Sequence, residues 1–278
     1  YILAVQATWF KNAFRRFFGI GNQASEHAET NYTSRETLIQ LTAGINLSSD
    51  LALLWSERYH DVRVEEGAVT SLPQTKTLFP DLIGLEGAQV FGHKLAVRYD
   101  TRDKQLVTTS GTYVIGAIEL NQNLERREPN RWWRTTFDAR QFIPHYNDRM
   151  VFVARFLADA VNGKKTPFYE RPTLGGETTL RAFGQNRFVD DTLILVNFEE
   201  RVRFRRQNIF DHELDLEVAP FVDIGRVMGH FSFGKLTNPQ VNPGVGFRVI
   251  SQPNVVGRLD IGYGKDGANV FVGLDYPF

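Results

Sequence analysis

The 278-residue sequence contains no cysteine, which excludes disulfides, thiolate metal sites and a cysteine nucleophile. It has no apolar run of about 18 residues, so no helix in it is long and apolar enough to cross a membrane. That says nothing of strands, which cross with alternating residues whose average hydropathy is unremarkable. It has no excess of either charge: Lys+Arg and Asp+Glu are 32 each, so composition gives no case for a nucleic-acid partner. Catalytic signatures are also missing. His27, His60, His93, His145, His212 and His230 are scattered, without the H-E-x-x-H spacing of a zinc site. No G-x-S-x-G elbow occurs, and Gly19-Ile20-Gly21 is followed by no helical pattern, so it is not a dinucleotide loop. Asp190-Asp191 reads as a solvated loop end rather than a cation site. The expectation is no catalytic, cofactor-binding or metal residue, and no enzyme. No leader peptide is visible; the chain opens at Tyr1-Ile2-Leu3-Ala4-Val5, already strand-like. Part of the natural N-terminus is therefore expected to lie upstream.

What is present is aromatics, 22 Phe, 9 Tyr and 4 Trp, and a period of two. From Thr192 to Arg206, Ile194, Val196, Phe198, Val202 and Phe204 fall on one face, and Asn197, Glu199, Arg201, Arg203 and Arg205 on the other. Phe91, Leu95, Val97 and Tyr99 oppose Lys94, Arg98 and Asp100; Trp133, Phe137 and Ala139 oppose Arg134, Thr136, Asp138 and Arg140; Phe152, Ala154 and Phe156 oppose Arg155 and Asp159. Soluble sandwich strands usually stop after about 5–6 residues. These run for about 10–16, long enough to cross a bilayer at a tilt and extend beyond it. So many charges on alternate positions need water inside a tube and lipid outside. The expected class is all-β, an antiparallel transmembrane β-barrel with about twelve strands visible. They lie at 1–10, 33–47, 49–66, 88–103, 111–124, 130–145, 148–163, 191–207, 214–229, 241–252, 254–265 and 268–278. Ser48-Ser49-Asp50 and Asn147-Asp148 read as short turns; 65–87 and 164–190 read as long loops on the opposite side of the membrane. Leu38 and Glu200 break the alternation, and Pro220 counts against its strand unless it marks a bulge or edge. Trp132 and Trp133 read as an interfacial belt.

Four stretches resemble signatures of the Omp85 superfamily of outer-membrane barrels. Tyr99-Asp100-Thr101-Arg102-Asp103 followed by Thr109-Ser110-Gly111-Thr112-Tyr113 resembles a family hairpin, with Thr108 where the family usually has proline. Gly175-Gly176 and Leu180-Arg181-Ala182-Phe183-Gly184 resemble the long-loop motif, with Ala182 in place of its usual glycine. Phe221-Val222-Asp223-Ile224-Gly225 resembles the family's F-x-D-x-G strand. The end, Gly273-Leu274-Asp275-Tyr276-Pro277-Phe278, is similar to a C-terminal β-signal, with Phe271 where a polar residue is usual. Phe17-Phe18-Gly19-Ile20-Gly21-Asn22 is similar to a loop of the same family.

The resemblance implies that residues 1–278 are one Omp85-type barrel domain, part of a barrel of about sixteen strands, with the loop 164–190 folded into the lumen. About seven of the strands precede that loop and about five follow it, so roughly four are expected to be missing. It further implies that Arg181 reaches Asp223, with Glu199 and Arg201 as neighbours, and that Phe183 packs near Phe221. Gly273, Tyr276 and Phe278 would form the recognition signal of the last strand, pairing at its edge with the assembly machinery. The implied function is insertion or translocation of polypeptides at the outer membrane through a lateral seam. Its partners would be outer-membrane lipids, assembly machinery and client polypeptides, with no nucleic acid and no cofactor. A passive pore, or an anchor for an upstream domain, is the competing reading.

Overall fold

A computed structural model describes the chain apart from residues 126–129, 147–148, 210–211, 232–235 and 252–254, so the turn Asn147-Asp148 lies outside the described residues. Twelve long strands form one antiparallel sheet in chain order. They are β1 (Ile2–Phe17), β2 (Thr30–Asn46), β3 (Leu51–Glu66), β4 (Ala88–Asp100), β5 (Gly111–Asn123), β6 (Asn130–His145), β7 (Met150–Asn162), β10 (Thr192–Ile209), β11 (His212–Met228), β12 (Gln240–Ser251), β13 (Val255–Gly264) and β14 (Gly267–Leu274). Between β7 and β10 a two-residue pair, β8 (Thr173–Leu174) with β9 (Phe188–Val189), stands apart from the main sheet. Among the described residues the only α-helix is the single turn Thr75–Leu78.

The alternation read from the sequence sets the two faces. On β10, Asn197, Glu199 and Arg201 are buried inside, while Phe198 is exposed outside. Leu41, Trp55, Leu95, Ile118, Phe137 and Val272 continue that outer apolar surface on six other strands. A soluble sheet would bury that surface, whereas a transmembrane barrel turns such a surface toward lipid. Polar side chains point inward and satisfy one another, as where Arg134 Nε donates to Asp159 Oδ1 at 3.0 Å.

Four corrections to the alternation have physical causes. A β-bulge between Arg203 and Arg205 shifts the β10–β11 register. Beyond it Arg206 faces Asp215 inside (2.7 Å), so Arg205 leaves the inner face where period two placed it. Pro220 does lie within a mid-sheet strand, and the β10–β11 ladder is interrupted opposite it, between the pairs Glu199–Phe221 and Val202–Val218, because proline has no N–H to give. Trp132 is buried in a cluster with Val90 and Val161, so of the pair only Trp133 is exposed on the outer face. The last strand stops at Leu274: Asp275 takes a left-handed φ of 65° and turns the tail inward. At the other end of the sheet, β1 runs on to Phe17, well past the expected limit.

The long connections 18–29, 67–87 and 163–191 share one end of the barrel. There Phe17, the end of β1, meets Phe79 and Phe168 edge-on at 5.1 and 5.2 Å, so two of these connections pack against it. At the opposite end Ser48 Oγ accepts the Leu51 amide at 3.1 Å and tightens the β2–β3 turn.

Candidate functional site

The β7–β10 connection enters the lumen, and its backbone explains its composition. Gly175 and Gly176 have φ of 108° and 105°, a region costly for other residues. The Gly176 amide donates to the Phe183 carbonyl at 2.9 Å, closing the tip into a compact turn. A side chain on Gly175 would strike the Gly184 carbonyl. Leu174, Leu180, Ala182, Phe183 and Phe188 then pack with Leu193, Leu195 and Val227 of the wall. Gly225 makes room for this: a Cβ there would stand 3.0 Å from Leu174 and 3.2 Å from Leu180. Gly262 of β13 does the same for the tip backbone, since its Cβ would lie 2.6 Å from the Arg181 carbonyl oxygen. The close approach expected of a glycine at position 182 is thus supplied from the wall, and Ala182 fits.

Arg181 is fully buried. Its Nε and Nη2 fork onto Asp223 at 3.0 and 2.8 Å, its backbone amide adds a third bond at 3.1 Å, and Nη1 donates to Glu199 at 2.6 Å. The guanidinium carbon lies 3.4 Å from the centre of the Phe221 ring. Planarity allows Arg to fork onto one carboxylate while stacking on a ring; Lys could do neither. Burial alone would lower the basicity of Arg181, but Asp223 and Glu199 reverse that and raise it. Around this pair Arg201 donates to Glu199 (2.9 Å), Arg248 lies 2.8 Å from Asp260, and Arg258 reaches Asp260 (2.9 Å) and Glu177 of the loop (2.5 Å). Asn197 bridges Asp223 (2.8 Å) and the Thr179 carbonyl (2.9 Å). The loop is therefore tied to β10, β11 and β13 by charge-assisted bonds.

Phe183 does not pack near Phe221 as expected. Arg181 occupies the Phe221 face, and Phe183 meets Phe188 edge-on at 4.9 Å. Tyr276 and Phe278 are not on a strand edge either. Tyr276 donates to Glu217 inside the barrel (3.1 Å) and has the Arg201 guanidinium 3.7 Å from its ring centre. Phe278 packs on Phe142, Val151 and Val153. Gly273 remains on β14, where a Cβ would crowd Arg258 at 3.1 Å. Arg248, Arg258 and Asp260 are network members that sequence reasoning missed; each sits on the inward phase of its strand, which was the available signal. The family hairpin is likewise built from its motif: Asp100 holds Arg102 (2.9 Å), and Asp103 accepts the Thr109 and Ser110 amides at 2.9 and 3.1 Å. Thr108, in the usual proline position, caps the Lys104 carbonyl at 2.7 Å. Asp191 pairs with Arg171 at 3.0 Å.

An antiparallel outer-membrane barrel with a long connection tied down inside its lumen is the class of protein these features define. The model of the Omp85 superfamily domain matches residues 1–270, and the chain belongs to that superfamily. Its fold is similar to that of BamA from Haemophilus ducreyi lacking POTRA domains 1-3, with a TM-score of 0.60 and 14% identity over 98% of this chain and 58% of that one. It is also similar to CdiB from Acinetobacter baumannii, with a TM-score of 0.52 and 15% identity over 92% of this chain and 45% of that one. The chain thus spans about half the length of these solved relatives.

Proposed function

We propose that this barrel inserts polypeptides into the outer membrane, or passes them across it, using the edge of β14 as a seam and the Arg181 loop as its internal brace. The observation that carries the reading is the buried Arg181–Asp223–Glu199 contact. It fastens the loop tip to β10 and β11, while Gly262 brings the same tip against β13, the neighbour of β14. Among the described residues β14 ladders only with β13 and β1 only with β2. An unpaired strand edge offers a row of N–H and C=O groups to an incoming strand. A braced last hairpin holds that edge in one conformation, and the surrounding lipid keeps water from competing for its bonds. Membrane lipids, the assembly machinery and client polypeptides are the partners this mechanism requires.

Proteoliposomes containing the purified chain test it. The wild type should speed the appearance of a folded, protease-resistant barrel client, and Arg181→Ala should lose most of that gain while still folding. No acceleration by the wild type, or equal acceleration by the variant, would leave the passive pore or anchor as the better reading.

A further inference from the structure

The first limb of the same loop makes a second polar contact, on a different stretch of wall. Glu170 ends a short 3-10 turn, Phe168–Glu170, and is buried. Its two oxygens accept from Arg58 Nη1 and Nη2 at 3.2 and 3.0 Å, and His60 Nδ1 lies 2.6 Å from Oε1. Arg58 also donates to Glu119 Oε1 at 2.8 Å and to Asn121 Oδ1 at 2.6 Å, and His60 Nε2 lies 3.4 Å from Glu36. These partners sit on β2, β3 and β5. The arrangement depends on Gly92 of β4, which is in register between Arg58 and Asn121. A Cβ there would stand 2.5 Å from Glu119 and 2.7 Å from Asn121, so Arg58 can cross β4 only over a glycine. Burial would raise the Glu170 carboxyl, but Arg58 and His60 outweigh it and hold it down at about 2.

Two cavities flank this contact. One of about 450 Å³ is lined by Ser56, Lys94 and Ala117 together with Arg58 and Glu119, the wall side of the clamp. The other, about 300 Å³, is lined by Arg15, Glu36, Tyr169 and Arg171, the last two being the chain neighbours of Glu170. Arg134 and Asp159 line both. The Glu170–Arg58 clamp therefore lies beside both spaces, with Arg58 on the wall of one and the chain neighbours of Glu170 on the wall of the other.

We infer that Glu170 is a second loop-positioning residue, independent of Arg181, and that its clamp on Arg58 closes the lumen to small inorganic ions. The inference rests on the reading of this connection as a loop seated inside the barrel, and not on client insertion. Its effect is local: without the carboxylate, Arg58 keeps Glu119 and Asn121, while the loop limb loses its fork and is free to leave the wall and open the space it fills.

Planar-bilayer recordings in potassium chloride test this on the whole purified chain, with heat-modifiable migration confirming the fold. Glu170→Ala should raise single-channel conductance several-fold, and Glu170→Gln, which keeps one acceptor oxygen, should fall between it and the wild type. If Glu170→Ala does not fold, Arg58→Lys, which keeps the charge and loses the fork, should raise conductance in the same direction. Wild-type conductance in every folded variant overturns the inference. Raised conductance beside failed client insertion would remove the proposed function and leave this inference standing.

Discussion

Arg181 shows how much a single side chain can carry. A guanidinium in water gains little from an exposed carboxylate, about 0–1 kcal/mol, but here the partners are buried together. Arg181→Ala leaves Asp223 without its guanidinium, while Glu199 keeps Arg201 and Arg248, and Asp223→Ala frees two guanidinium N–H groups. Each should cost about 3–5 kcal/mol, read from the midpoint of denaturant unfolding in detergent. The double variant should cost less than the sum, because the second change removes a charge already stranded; additive losses would contradict the contact. The Glu170 clamp gives a pH prediction. Its carboxyl is lowered from 4.5 to about 2, so its stabilisation is complete above the unfolded value and is lost as pH falls from 4.5 toward 2. Glu170→Gln should flatten the acid limb of a stability–pH curve in that window; an unchanged limb would show that the carboxylate does not titrate with unfolding. The Arg181–Asp223 contact was legible only through the family resemblance, which matched Arg181 to the loop motif and Asp223 to its docking strand; alternation alone left both as further lumen charges. The Phe183–Phe221 contact was misjudged because period two gives the face of a residue, not which neighbour claims its ring.

At the level of elements, all twelve strands were legible in sequence, since alternation over about 10–16 residues is hard to imitate by chance. Their faults were local. Nothing in Arg203-Phe204-Arg205 announces a bulge, so Arg205 was placed inside. The tail was read as strand because Tyr276 and Phe278 keep the period, while the turn at Asp275 depends on a left-handed φ with no glycine to mark it. The two faces make a paired prediction. A charge at Phe198, whose side chain points outward from β10, should cost about 2–4 kcal/mol if it lies near the bilayer midplane. The same charge at Ala117, which lines an inner cavity with Arg58, Lys94 and Glu119, should cost far less. Folding titrations in lipid vesicles compare them, and equal or reversed losses would contradict this assignment of the faces. Gly225→Val gives a third element-scale test. It should push Leu174 and Leu180 off the wall and make the loop open to limited proteolysis without unfolding the sheet.

For the molecule as a whole, seven long strands precede the buried connection and five follow it, the same division expected from the sequence. The outer surface of Leu41, Trp55, Leu95, Ile118 and Val272 should keep the folded protein in detergent or bilayer, with migration on gels that changes on heating; a folded, detergent-free chain would contradict a lipid-facing exterior. Sequence could not foretell that the loop is held at two separate walls, because Glu170 belongs to no motif and its partners Arg58 and His60 lie more than a hundred residues away. The central claim is that the loop tip lies inside the barrel against β13, and the absence of native cysteine allows it to be tested directly. A Cβ at Gly264 would stand 3.0 Å from the Ala182 Cβ, about half an ångström short of the usual span of about 3.5–4.5 Å across a disulfide, which a small shift of the loop tip would supply. The measurement is oxidation of the double variant Ala182→Cys with Gly264→Cys in membranes, read by gel migration and thiol labelling. The account predicts near-complete cross-linking of the folded barrel, with neither thiol open to a membrane-impermeant reagent. Two free thiols, with position 182 labelled from the aqueous side, would place the loop outside and contradict it.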